Sequence, residues 1–342
     1  MKLSRRSLIV GAGAAATVAG STYALAQRPQ ALTKATAIEV RATPLQHFSL
    51  SERDRRRFGG LTFRSGLVLQ SPYDGFGGFS GLWRSPDGRE LVALTDNAQW
   101  LSAKVEMAQG QLSGLTQVVM APVLGASGQP LRRSRYYDTE GLTIVDGVAY
   151  VSIERRHAVV RFDWARNGML SRAQPVSVPP AASDLPSNSG LEAIGVAPGR
   201  SPAAGALVAI AERAGASDEP TLGFILTGPR RGSFEVARSG DYDVTDLAFL
   251  PNGDLLLLER RFSLLRGPAA RIRRIRSDSL RPGATLDGNV TFEADAMHEI
   301  DNMEGIALHR VGGETIVTLI SDNNFNSFQR TLLLEFTLSD LD

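Results

Sequence analysis

From about residue 38 to residue 338, apolar residues either alternate with polar ones or gather into short runs rich in Leu, Val and Ile. Turn signals break these runs every 8 to 12 residues or so, a pattern that predicts strands and almost no helix. One unit recurs: a small or acidic marker, a short strand, a glycine-bearing turn, and a second apolar strand that ends in an acid. Its copies occupy 79–83 with 91–96, 139–142 with 148–154, 190–194 with 206–212, 244–248 with 255–259, and 303–307 with 316–322. The turns include Pro86-Asp87-Gly88, Asp146-Gly147 and Pro251-Asn252-Gly253. Such residues suit hairpins because glycine supplies positive φ and Pro, Asn and Asp pre-set the bend.

The markers Ser80, Glu140, Glu192, Asp246 and Glu304 follow one another at roughly fifty to sixty residues, which suits a four-stranded propeller blade with long loops. Five units leave strands over at 38–70 and at 331–338. The expected fold is therefore all-β: a single β-propeller with six blades, the sixth sharing N- and C-terminal strands so that the ring closes without an open sheet edge. No linker interrupts 27–342, which reads as one domain.

The first 26 residues stand apart. Lys2, Arg5 and Arg6 precede a mildly apolar run rich in Ala and Gly, and Ala24-Leu25-Ala26 offers a small-x-small cleavage site. That is the plan of a secretory signal, and Arg5-Arg6 before the run gives it a twin-arginine character. The expectation is export by that route to the periplasm or beyond, with no stable membrane span once the signal is cleaved. Gly11-Ala12-Gly13-Ala14-Ala15-Ala16 imitates a dinucleotide fingerprint, but no βαβ unit or distant acid follows it.

Without that segment the chain carries two more acids than bases, so nothing points to nucleic acid. There is no cysteine, which excludes disulfides and thiolate metal sites. The remaining 316 residues are enough to bury a core unaided, and the expectation is a monomer.

In a propeller the first strand of each blade lines the central channel, so recurring positions converge on the axis. The markers bring Glu140, Glu192, Asp246 and Glu304 there; the strand ends bring Asp96, Glu154, Glu212, Glu259 and Asp322. Carboxylates gathered in this way must protonate, pair with arginine, or hold a cation. Arg155, Arg156, Arg213, Arg260 and Arg261 are at hand for pairing, and Asn188, Asn302, Asn323 and Asn324 add neutral oxygens. An all-oxygen donor set suits Ca²⁺ better than Zn²⁺, for which only His47, His157, His298 and His309 are available. The alternative is a purely structural network of acids, arginines and backbone amides. His157, beside Glu154, is a candidate acid or base.

The segments Gly78-Phe79-Ser80-Gly81-Leu82, Asp138-Thr139-Glu140-Gly141-Leu142, Asn188-Ser189-Gly190-Leu191-Glu192-Ala193, Val244-Thr245-Asp246-Leu247-Ala248, Asn302-Met303-Glu304-Gly305-Ile306-Ala307 and Ser321-Asp322-Asn323-Asn324-Phe325 together resemble the bacterial phytase-like, or esterase-like, propeller domains. The resemblance runs from about 58 to 338. It implies hydrolysis of a small ester or phosphoester in an acidic channel that holds Ca²⁺. On that expectation Glu140, Glu192, Asp246, Glu304 and their neighbours hold the cation. Glu140, Glu192, His157, Arg155 and Arg260 are then the catalytic candidates, with Arg213 a further arginine that could meet developing negative charge. A non-catalytic propeller that binds a ligand or partner, and a lactonase-like enzyme with one channel cation, are the alternatives.

Overall fold

The computed structural model describes residues 32–187, 189–215, 219–263 and 266–339. The segment 1–26, expected to be a signal, and Asn188 lie outside the described residues. The chain begins with β1 (Thr36–Ala37), β2 (Arg41–Pro44), β3 (Arg57–Phe58) and β4 (Leu61–Gln70). Four strands follow as β5 (Phe79–Arg84), β6 (Glu90–Thr95), β7 (Gln99–Ala108) and β8 (Gln111–Pro122). Next come β9 (Thr139–Val145), β10 (Val148–Ile153), β11 (Ala158–Asp163) and β12 (Gln174–Val176), then β13 (Leu191–Val196), β14 (Leu207–Ala211), β15 (Thr221–Ile225) and β16 (Gly232–Val236). A fourth group is β17 (Asp243–Phe249), β18 (Leu255–Ser263), β19 (Gly267–Ile275), β20 (Thr285–Leu286) and β21 (Asn289–Asp295). The last is β22 (Asn302–Val311), β23 (Glu314–Asp322) and β24 (Thr331–Leu338).

These strands make five sheets, the blades of one β-propeller. In the first four, strands run outward from the axis in chain order from β5, β9, β13 and β17, except that the first sheet is edged by β1, the third by β20 and the fourth by β21. The fifth runs β22-β23-β24-β4-β2. The expected sixth blade is therefore corrected to none. The strands set aside for it complete the fifth sheet instead: β22 and β23 need outer partners, and β24 pairs with β23 on one side and with β4 on the other.

The core explains the hydrophobic pattern. Five apolar clusters fill the spaces between successive blades in turn, and the last returns to the first. One joins Leu94 and Trp100 to Leu142 and Phe162; another joins Leu67 and Leu333 to Phe79 and Leu91. A second strand lies in mid-blade with a neighbour on each face, so both of its faces are buried. That is why 207–211 and 255–258 read as unbroken apolar runs.

The five inner strands neighbour one another in a closed cycle, β5, β9, β13, β17, β22 and back to β5. Their approach is backbone to backbone. A Cβ on Gly81 would lie 2.6 Å from the Glu140 carbonyl oxygen, and one on Gly141 would lie 2.3 Å from that of Glu192. At these two positions glycine is thus a steric requirement of the ring, while the third blade carries Ala193 after its marker.

Each inner strand also carries a β-bulge at its channel-proximal end, where one or two residues drop out of register. A bulge re-aims the unpaired side chain. The residues so re-aimed include Ser80, Glu140, Glu192, Thr245 and Glu304. In the fourth blade the position belongs to Thr245, one residue before the expected Asp246.

Candidate functional site

At the rim where inner strands start and second strands end, a cavity of about 210 Å³ opens on the axis. Among the described residues its wall carries seven carboxylates, Asp96, Glu140, Glu154, Glu192, Glu212, Glu304 and Asp322, with Ser80, Asn324 and a single arginine, Arg260. Blade by blade the two rim positions are Ser80 and Asp96, Glu140 and Glu154, Glu192 and Glu212, Thr245 and Arg260, Glu304 and Asp322. Strand pairing fixes this correspondence, because Arg260 faces Asp243 across the ladder as Asp322 faces Asn302. The fourth blade therefore contributes a cation where the others contribute acids.

Two expected ligands fall outside the cavity wall for the same reason. Asp246 is fully buried one residue past the bulge, where its carboxylate accepts the Leu247 and Ile306 amides at 2.8 and 2.9 Å and so stitches β17 to β22. Glu259 points into its own blade and is held by Arg271 and Arg273 at 2.7 and 2.6 Å. Two expected catalytic residues are also outside. The Arg155 Nε donates to Asp138 at 2.5 Å on a half-exposed turn, away from the cavity wall. His157 sits in left-handed backbone with its ring against Gly190. Burial lowers its pKa, so it is neutral at pH 7.

The electrostatics of the cavity are dominated by burial. It pushes the Glu140 and Glu192 carboxyls well above the ordinary range, with further help from Glu192, Asp96, Asp138 and Glu154 around the first and Glu212, Glu154 and Glu304 around the second. Burial also pushes Glu154, Glu304 and Asp322 up to about 7, Asp138 adding to the first and Asp96 to the last. Glu212 is raised by burial and restrained by Arg260. Arg260 lies 2.9 Å from Glu304 and 3.5 Å from Glu212. Burial works against its charge, yet the acids around it hold it firmly protonated.

Hydrogen bonds fix the rest. Asp322 accepts the Asn324 amide at 2.8 Å, and Glu304 accepts the Asn302 side chain at 2.5 Å. Arg213 spans Asp243 and Glu212 at 3.1 and 3.7 Å from outside the wall.

Two trios of carboxylates, Asp138, Glu140, Glu154 and Glu154, Glu192, Glu212, each have one oxygen per residue within 4.8 Å of the others. Ligands on opposite sides of a Ca²⁺ ion stand about 5 Å apart, so the spacing and the all-oxygen chemistry both fit that ion. The two trios share Glu154, and the second reaches the Arg260–Glu304 pair through Glu212, 3.5 Å from Arg260. Asp138 is the member that sequence reasoning missed. Its place two residues before Glu140, on the same strand face, was the available signal.

A second, wider cavity of about 610 Å³ shares Arg260, Glu304 and Asn324 with the first. Its other walls are Arg261, Phe262, Pro268 and Ala269 of the β18–β19 pair, and Asp301, Asn302, Asn326, Phe328 and Gln329 of the fifth blade.

A family model described as phytase-like, "esterase-like activity of phytase", matches residues 74–325. No curated protein matches. Among solved structures, the PQQ-bound aldose sugar dehydrogenase of Streptomyces coelicolor is similar at 13% identity, over 88% of this chain and 99% of that one, with a TM-score of 0.41. The Myxococcus xanthus glutaminyl cyclase matches at 12% over 78% and 92%, TM-score 0.41, and the Malassezia sympodialis allergen Mala s 1 at 13% over 90% and 96%, TM-score 0.42. Likeness at these scores carries no argument about the chemistry here.

Proposed function

The chain belongs to the phytase-like family, and on that premise we propose that it is an exported hydrolase of an ester or phosphoester that works with a Ca²⁺ ion at the axial cavity. The observation that carries the reading is the imbalance of the cavity wall, where seven carboxylates face one arginine. Three of them are poised near neutrality with pKa values of about 7, so a cation can displace their protons at modest cost.

Ca²⁺, when bound, supplies Lewis acidity and acidifies a coordinated water. The protein's own part is to bind and orient. Glu140, Glu154, Glu192 and Glu212 hold the ion, with Asp138 fixing one edge through Arg155. Arg260, pinned by Glu304 and Glu212 and facing both cavities, offers N–H donors to negative charge that develops on the substrate. Glu304 and Asp322, near neutrality, are placed to carry a proton.

The test is calorimetric titration of the chelator-treated protein with Ca²⁺, beside assays on carboxylic and phosphate esters with and without chelator. Saturable Ca²⁺ binding and chelator-sensitive turnover support the reading; absence of both sinks it. A second reading, a ligand-binding propeller without catalysis, draws on the same titration behaviour, since shared protons could hold the acids together unaided. Ca²⁺ binding without turnover would favour it. Among the described residues no helix is long and apolar enough to cross a membrane. Export rests on the twin-arginine reading of 1–26.

A further inference from the structure

The wider cavity bears on what the site accepts, and the inference drawn from it rests on the hydrolase reading. We infer that it is a subsite for a planar, apolar group of an ester carrying at most one negative charge, and that the site is not built for a polyphosphorylated substrate.

Charge is the first argument. The charged groups on its wall are Arg260 and Arg261 against Asp301 and Glu304, an even balance. None of the four is in surplus. Arg260 is paired with Glu304 and Glu212, and Arg261 donates to the Gly240 carbonyl at 3.3 Å while lying 4.8 Å over the Tyr242 ring. Asp301 accepts the amides of Asn302 and Arg330 and the Gln329 side chain. A ligand with many phosphates needs several uncommitted cations, and this wall offers only Arg261, whose contacts are a carbonyl and a ring, beside an Arg260 already held by two acids.

Apolar surface is the second argument. Phe262 and Phe328 flank the cavity, 66% and 95% exposed, with Pro268 and Ala269 between the polar groups. Phe328 is not on a fraying tip. Asn326 Oδ1 accepts the Phe328 and Gln329 amides at 2.9 and 3.1 Å, and Gln329 Oε1 accepts the Asn324 and Asn326 side chains at 3.2 and 2.6 Å. This scaffold holds an aromatic ring in water beside the candidate chemistry. Ring faces of that kind bind planar apolar groups by offset or edge-on stacking. A volume of about 610 Å³ lies within the range of small-molecule pockets, and the shared wall at Arg260, Glu304 and Asn324 would place the ester bond of such a ligand at the acid cluster.

The probes are 2-naphthoate, a planar monoanion, and inositol hexakisphosphate, each titrated calorimetrically into the full mature protein with Ca²⁺ present. Naphthoate should bind the more tightly. Phe328→Ala and Phe262→Ala should each weaken it about five- to tenfold, and Phe328→Tyr should restore it, with thermal unfolding unchanged because both rings are exposed. No naphthoate binding, equal affinity in the alanine variants, or tighter binding of the hexakisphosphate overturns the inference. Turnover of 2-naphthyl butyrate separates it from the hydrolase reading. Phe-dependent binding with no turnover leaves the subsite standing and sinks the hydrolase; turnover indifferent to both phenylalanines does the reverse.

Discussion

Two populations of buried acid in this propeller are treated in opposite ways. Within the blades each buried glutamate has its own arginine. Glu335 on β24 meets Arg84 of β5 at 2.8 Å with both side chains 1% exposed, and Glu259 is clasped by Arg271 and Arg273. Around the axis seven acids share Arg260. The chain does not lack arginine: Arg155 and Arg213 stand close by but outside the cavity wall, Arg155 on Asp138 and Arg213 on Asp243, with Glu212 farther at 3.7 Å. An acid that only ties blades together is neutralised in place, by arginine or, as at Asp246, by backbone amides and a pKa raised by burial, because an unpaired buried charge is destabilising. Acids left to repel one another are stable only if protons or a cation join them. The contrast sorts acids that hold the fold from acids available for chemistry.

The largest effect should come from breaking an acid of the first kind. Arg84→Met strands Glu335 in the interface between the first and fifth blades and should cost about 3–5 kcal/mol, read from urea unfolding. The loss should be the same with Ca²⁺ or chelator. A cost under about 1 kcal/mol would mean that this pair is no structural anchor, and the contrast would fail at its firmer end.

Arg260→Met should cost less, roughly 1–3 kcal/mol in chelator at pH 8, because its guanidinium is partly exposed and its acids can take up protons. Here Ca²⁺ should restore most of the loss, the added ion standing in for the missing charge. If Ca²⁺ gave no rescue, Arg260 would belong with the structural arginines.

Glu192→Gln should move stability least. In chelator at pH 8 it should leave unfolding unchanged or shift it upward, since a desolvated carboxyl that is costly to ionise is gone. Calorimetry should show Ca²⁺ affinity down by at least about tenfold. Glu259→Gln is the mirror control, with Ca²⁺ affinity kept and stability lost.

The same contrast shows where the sequence could be read. Blade units, their order and most of the axial acids follow from the recurring strand–turn–strand pattern, because a sheet held between two others must be apolar on both faces. The fourth blade misled because Thr245-Asp246 offers an acid beside the true position. Counting back two residues from the large buried apolar residue just past the bulge of each inner strand, Leu82, Leu142, Ile194, Leu247 and Ile306, gives Ser80, Glu140, Glu192, Thr245 and Glu304. The bulge sits between, and that spacing, not the acid, is what repeats. The second strand carried the same error, Glu259 for Arg260 at the rim, although Arg260 itself stood among the catalytic candidates. The blade count missed for another reason. Nothing local distinguishes strands of an extra sheet from strands that complete a distant one, and β4 meets β24 across nearly the whole chain. His157 and Arg155 were legible as residues but not as directions, since a left-handed turn at His157 sets where both side chains go.

The finest test of the two populations is their response to pH. Glu154 and Glu304 titrate at about 7 in the folded protein against an ordinary 4.5, and Asp322 at about 7 against 3.8. Raised carboxyl values mean that the folded state holds more protons than the unfolded chain between those limits. The contribution of these three must then fall as pH rises from about 4.5 toward 7 and level off above that, and the raised Glu140 and Glu192 carboxyls add to the fall in the same direction. In chelator, thermal unfolding should therefore drop by a few degrees between pH 5 and pH 8, the reverse of a protein stabilised by paired acids. With Ca²⁺ the acids are ionised by the ion they hold, and the slope should vanish or change sign, because binding to the folded state now strengthens with pH. Glu212→Gln should flatten the chelator curve, since its charge raises Glu154 and Glu304; Glu259→Gln should lower the whole curve without changing its slope. A chelator curve that rises from pH 5 to pH 8 would place the axial acids with the paired ones and remove the reason to expect a cation among them.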